Sequence, residues 1–277
     1  LYIRLSIVNS LISAIISIVL IWLYNISGAL YALLIGQAFS IFVTIWAIRN
    51  KSWFKMFHLF EPLPLPFIRK LGGFALMALI SAFVVPLGQI FVRSEIISVT
   101  SLNNAGIWDS VNRISGMLNM FVITTLSTYY MPRLSEISRV DLLRKEVWNT
   151  LRIVLPFLLF SVVLIYVFRY QVISLLYSKS FYRATDFFAY QILGDVFKLV
   201  SWLFAMVTIA KAKIKYFLVL ELSFMVYYVL FSKYYIYTFG LEGAFKAYVL
   251  THALNCALSM LIFFQMLKDD KTSGRSE

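Results

Sequence analysis

The chain has 277 residues, of which 61% are hydrophobic and 14% charged, against roughly 25% charged in an ordinary soluble domain. Its mean hydropathy is +0.83, more apolar side chain than a water-soluble interior can hold. The single cysteine, Cys256, excludes an internal disulfide, and the net charge of +12 raises a nucleic-acid partner that the placement of the charges then excludes.

The chain begins at Leu1, not Met, and enters an apolar run with no signal-peptide charge region or cleavage site. It therefore reads as a fragment lacking its N-terminal part. A membrane-spanning helix takes about 20 mostly apolar residues, and eight candidates follow: 5–23, 28–48, 71–92, 106–128, 150–168, 186–208, 214–232 and 243–265. The expected fold class is all-α, a polytopic membrane protein of about eight transmembrane helices.

The first span sets Ser6, Ser10, Ser13 and Ser17 on one stripe, and the second spaces Ala32, Gly36 and Ser40 four apart. Small residues at this spacing let membrane helices approach closely. The longest break, 49–70, is basic and carries Pro62, Pro64 and Pro66 at alternate positions, which favours an extended connection. Pro86 lies deep in the third span, where its missing N–H favours a kink.

The fourth span carries Asp109 and Arg113 four apart, with Asn112 and Asn119 beside them. Asp109 has a plain alternative as a helix-start residue favoured by the dipole. Arg113 lies a turn deeper, and its face reads as the lining of a wet cavity. In the sixth span Gln191, Asp195, Lys198 and Trp202 share one narrow sector, opposite Leu193, Val196, Phe197, Val200, Leu203, Phe204 and Val207. A charge at mid-bilayer costs about 2.5–3.5 kcal/mol on insertion scales, so this stripe cannot face lipid. Either Asp195 and Lys198 form an internal ion pair between helices, or they line a cavity; the length of the stripe favours the cavity.

Glu221, in the seventh span, has no basic neighbour on its own face and reads either as a protonated structural carboxyl or as a proton-coupling group. The last span places Tyr248, His252, Asn255 and Ser259 on one side, while Lys246 reads as a surface partner of Glu242.

Lys and Arg alternate between the loops. Seventeen fall on one side, mainly in 49–70, 133–152, 211–215 and 268–275, and five on the other, at Arg93, Arg169, Lys179, Arg183 and Lys233. This positive-inside pattern puts both ends of the chain in the cytoplasm and the positive charge against the inner leaflet, so no soluble basic face remains for nucleic acid. Two distant histidines and one cysteine give no metal-ligand spacing, no phosphate-binding glycine loop is present, and the outer loops are too short for a catalytic acid/base pair. No cofactor, metal or enzymatic role is expected.

FALMALISAFVVP, NNAGIWDSVNRIS, STYYMPRLSEI, FAYQILGDVFKLV and TIAKAK, in this order and spacing, resemble the Wzx-type oligosaccharide flippases. The likeness is in particular to the lipid III (enterobacterial common antigen) and O-antigen branch of the superfamily that includes the MATE exporters. The resemblance implies two six-helix lobes, with 1–48 as the last two helices of the first, 49–70 the cytoplasmic connection, 71–268 the second lobe and 269–277 a cytoplasmic tail. It implies a multi-pass protein of the bacterial inner membrane. Its substrate would be an undecaprenyl-diphosphate-linked oligosaccharide turned from the cytoplasmic to the periplasmic leaflet, with membrane lipid and other polysaccharide-assembly proteins as partners. On that reading Arg113 and Lys198 would meet the diphosphate or sugar hydroxyls. Asp109, Asp195, Asn112, Asn119 and Gln191 would bond sugars or balance the cations, Trp202 would stack on a sugar, and Glu221 would couple protons. Two alternatives stay open: a cation-coupled exporter of small molecules, and a membrane enzyme of polysaccharide assembly.

Overall fold

Long apolar runs broken by a few turn residues fold as expected for a bilayer, where each backbone group must be satisfied within its own segment. The computed structural model describes residues 2–49 and 65–273, which are helical with no strand among them. They fall into two packed units, 1–65 and 66–277. Of the expected connection 49–70, residues 50–64 lie outside the described residues, as do 274–277 of the expected tail. Six of the described helical stretches are long and apolar enough to cross a membrane. The first of these holds two of the eight expected spans, and the stretch around 106–128 is too polar to be counted.

The first unit is one helical hairpin, α1 (Tyr2–Ile48), whose arms 2–24 and 26–48 meet at Asn25 (φ 51°, ψ −129°). Asn is among the few non-glycine residues often found at positive φ. Across the arms, Asn9 Nδ2 donates to Ser40 Oγ at 3.1 Å. Ser13 Oγ lies 3.5 Å from where a Cβ would stand on Gly36. Gly28, Ala32 and Gly36 are buried in a row, so the small-residue stripe is the packing face. At Gly28 a Cβ would fall 1.9 Å from the Leu20 carbonyl oxygen, a contact only glycine allows.

The second unit comprises α2 (Leu65–Val99), α3 (Leu102–Glu136), α4 (Val140–Val167), α5 (Arg169–Leu176), a 3-10 segment (Lys179–Phe187), α6 (Phe188–Ala210), α7 (Ile214–Phe239) and α8 (Leu241–Ser273). Helix α2 runs on through Pro86. Helix α4 starts ten residues before its expected span, because Leu143, Val147, Leu151, Val154 and Leu158 form one continuous buried stripe. The expected outer loop near 169–187 is instead folded. Ile173, Ala184 and Phe187 are buried, and Phe187 stacks on Phe245 with ring centres 4.7 Å apart. The Lys246–Glu242 pair forms as expected, at 2.9 Å.

The turn between α7 and α8 repeats that of α1. Gly240 has φ 59° and ψ −135°, and three residues on, a Cβ on Gly243 would lie 1.9 Å from the Tyr235 carbonyl oxygen. In both turns the glycine meets the carbonyl eight residues earlier. The sequences match in register: Asn-Ile-Ser-Gly-Ala-Leu-Tyr-Ala at 25–32 and Gly-Leu-Glu-Gly-Ala-Phe-Lys-Ala at 240–247. The two hairpins are copies of one local design.

Helix α6 is the centre of the second unit, packed by α3, α4, α7 and α8. Its stripe opposite Asp195 is therefore only partly a lipid face: Leu193 is exposed, whereas Leu203, Phe204 and Val207 are buried. Two apolar clusters form along the bundle. One joins Val92, Ile107, Trp108, Ile192 and Phe245; the other joins Tyr130, Leu134, Val147, Phe204 and Phe263. Helices α3, α6 and α8 also each contribute polar residues, which hydrogen-bond to one another as a polar layer. Past the end of α6, Lys211 Nζ donates to the carbonyl oxygens of Ile137 at 2.6 Å and Ser135 at 3.3 Å, satisfying the end of α3. Burial there lowers the Lys211 pKa, with the Asp270 charge opposing.

Candidate functional site

The polar layer centres on Asp195 of α6, which is 7% exposed. Its carboxylate accepts from Ser115 Oγ at 2.6 Å and Asn119 Nδ2 at 2.9 Å on α3, and from Tyr248 Oη at 2.8 Å on α8. An ionised carboxylate accepts hydrogen bonds and donates none, so these three donors match it and tie three helices together. Gln191, a turn earlier on α6, donates to Ser115 Oγ at 3.1 Å and to Asn112 Oδ1 at 3.5 Å. The ion pair between Asp195 and Lys198, weighed as the alternative to a cavity, is not formed among the described residues. The carboxylate is satisfied instead by neutral donors of the neighbouring helices.

Lys198, three residues along, opens instead into a cavity of about 190 Å³ lined also by Ser201, Trp202, Glu221, His252 and Asn255. Glu221 of α7, alone among the charges of its own helix face, thus lines the same cavity as Lys198 of α6. Asn255 Nδ2 donates to Ser201 Oγ at 3.0 Å. His252 Nδ1, Asn255 Oδ1 and Gln191 Oε1 are buried without a protein partner, a condition that water or a ligand would relieve.

Asp109, Asn112 and Arg113 lie apart from that cavity. With Pro86, Gln89, Ile90, Arg93 and Trp108 they line an open cavity of about 460 Å³ between α2 and α3. Asp109 does not pair with Arg113; Arg93 Nη2 of α2 reaches its Oδ2 at 2.8 Å. Arg113 takes part in no ion pair among the described residues.

The residues expected to line a single cavity divide between two cavities and a hydrogen-bonded polar layer. Asp109, Asn112 and Arg113 line the first cavity and Lys198, Trp202 and Glu221 the second; Asp195, Asn119 and Gln191 belong to the polar layer. Sequence reasoning missed Ser115, four residues before Asn119 and so on the same helix face, and Arg93, which it placed in a loop. Tyr248 was visible as a polar residue of the last span but without its partner. Three or more His, Cys, Asp or Glu do not gather anywhere among the described residues in a way that would hold a metal.

No protein-family model matches the chain. Over 194 residues it is 31% identical to the lipid III flippase of Escherichia coli K12 and equally to that of Shigella flexneri. The match takes in 70% of this chain and 47% of each relative, so the chain spans about half the length of these relatives. Its fold superposes on the Vibrio cholerae MATE transporter VcmN in its bent form with a TM-score of 0.72, over 97% of this chain and 63% of that one, at 17% identity. Its sequence is similar to that of lipid III flippases, and its fold is that of the MATE transporters. A superfamily transporter from Pyrococcus furiosus, described as having a binding pocket of reversed polarity, gives a TM-score of 0.70 at 20% identity, over 95% of this chain and 62% of that one. These relatives are flippases and transporters, not enzymes.

Proposed function

We propose that this chain is part of a flippase that carries an undecaprenyl-diphosphate-linked oligosaccharide from the cytoplasmic to the periplasmic leaflet by alternating access. The observation that carries the reading is the 31% identity to lipid III flippases. The polar cavities support it chemically. A hydrated glycan and its diphosphate need polar, partly cationic walls within the membrane, while the polyprenyl tail stays in lipid. Arg113 and Lys198 meet the anionic headgroup or sugar hydroxyls. Asp109, Asn112 and Gln191 bond sugars or balance these cations, and Trp202 offers a stacking face. Glu221, in the same cavity as Lys198, is the coupling carboxyl. Asp195 and Asn119 hold α3, α6 and α8 in register around the substrate path. The hairpin of α1 and the unit 66–277 belong to two lobes whose rocking exposes the path to either side.

The test is transport of a lipid-linked oligosaccharide in vesicles containing the complete transporter. Lys198→Ala and Arg113→Ala should each lower transport about tenfold or more with the protein still in the membrane, while Lys246→Ala should not. Loss at all three positions, or at none, would remove the substrate role. The alternative as an exporter of small cations predicts a cavity dominated by acids, whereas Arg93, Arg113 and Lys198 here stand against Asp109 and Glu221. Cation export that survives Lys198→Ala would favour that alternative.

A further inference from the structure

The open cavity between α2 and α3 is built from two facing rows. Gln89 and Arg93, four apart, come from α2; Asp109, Asn112 and Arg113, within one turn, come from α3, with the Trp108 ring beside them. Two guanidinium groups and one carboxylate therefore share the space, and only Arg93 is matched to the carboxylate, at 2.8 Å. That contact is open to solvent, since the Arg93 side chain is 50% exposed and that of Asp109 is 22%. Exposed pairs of this kind contribute little to stability, so the partner of Arg93 can be exchanged.

We infer that Arg93 is the second arm of a diphosphate site in this cavity, and that Asp109 is the resident anion which the incoming headgroup displaces. The inference rests on the flippase reading and names the part of the substrate bound here. A single monoanion exchanges with the Asp109 carboxylate like for like and gains little. A diphosphate carries two charged groups on one ligand, and can meet Arg93 and Arg113 together through the planar, forked donors that suit phosphate. Gln89 and Asn112 add neutral donors to the remaining oxygens. Asp109 thus sets a threshold that favours a diphosphate over a monophosphate.

Trp108 lines the site and serves as a reporter in the whole chain, solubilised in maltoside, with the other five of its six tryptophans changed to Phe. The probes are inorganic pyrophosphate, orthophosphate and farnesyl diphosphate. Pyrophosphate should bind more tightly than orthophosphate. Asp109→Asn should tighten pyrophosphate about three- to tenfold, Arg93→Gln and Arg113→Gln should each weaken it about tenfold, and Arg93→Lys should lose less than Arg93→Gln. Lys246→Gln serves as a folded control and should bind as the parent does. Farnesyl diphosphate should show the same dependence on Arg93, as a lipid-borne headgroup would; binding of pyrophosphate without farnesyl diphosphate would overturn the lipid-headgroup assignment. Unchanged affinity in Arg93→Gln and Asp109→Asn, with loss only in Arg113→Gln, would overturn the role of Arg93 and leave the flippase reading standing. Absence of any diphosphate binding, in the parent and in Asp109→Asn, would overturn both.

Discussion

The hairpins of α1 and α7–α8 make the same turn and carry different chemistry. Each reverses at a residue of positive φ, Asn25 or Gly240. Three residues after that turn each has a glycine set against the carbonyl oxygen eight residues before it, and each then buries a stripe of small residues, Gly28-Ala32-Gly36 in one and Gly243-Ala247-Thr251 in the other. Beyond the stripe they diverge. At the positions where the second hairpin has Tyr248, His252 and Asn255, the first has Leu33, Gln37 and Ser40. Leu33 is 67% exposed, whereas Tyr248 is buried on Asp195. The hairpin is a scaffold set by turn geometry and close backbone packing; the polar groups it presents are chosen separately, by what packs against it.

This comparison breaks most readily at the shared glycines. Gly28→Ala and Gly243→Ala each place a Cβ on backbone atoms that cannot yield, so each should cost about 4 kcal/mol. Thermal unfolding in detergent should show equal losses; a mild effect at one position alone would end the claim of a common turn. Asp195→Ala removes the acceptor from three buried donors and should cost about 3 kcal/mol in the same assay. Converting Tyr248 to Leu, as at the matching position of the first hairpin, should cost less, and Leu33→Tyr should be near neutral.

Turn conformation gives a smaller and oppositely signed pair. Gly240→Ala should cost about 1–2 kcal/mol because an L side chain resists positive φ, while Asn25→Gly should be neutral or slightly stabilising. The smallest effect is at the bond between the arms of α1: Asn9→Ala should cost about 0.6 kcal/mol, the usual worth of an interhelical hydrogen bond in a membrane. An effect as large as that of Asp195→Ala would mean that the first hairpin, too, depends on a polar lock.

Much of the architecture was legible from the residues. The break between the spans 5–23 and 28–48 falls at Asn25, and Ala32 and Gly36 of the second span's small-residue stripe are buried, whereas Ser10 of the first is exposed; the causes that were legible are local, turn conformation and side-chain size. The early start of α4 was hidden by its charged first turns, which mask a stripe of Leu and Val. The folded segment at 169–187 was hidden because a short helix and a 3-10 turn acquire stability only by covering Ile173 and Phe187 against the bundle. In the site, the amphipathic stripe of α6 correctly marked polar surroundings. It could not separate Asp195 from Lys198, which face different neighbours within one turn.

The sequence by itself determined that the chain lives in a bilayer, where its turns fall, which faces carry small residues and which carry charge. These follow from hydropathy, helical period and backbone conformation, all properties of neighbouring residues. Only the tertiary structure decided that Asp195 is held by Ser115 and Tyr248, residues 80 and 53 positions away, and that Lys198 and Glu221 line one cavity. It likewise decided that Asp109 pairs with Arg93 across α2 and α3. A charge inside a membrane must find its partner on another helix, and helix packing selects that partner.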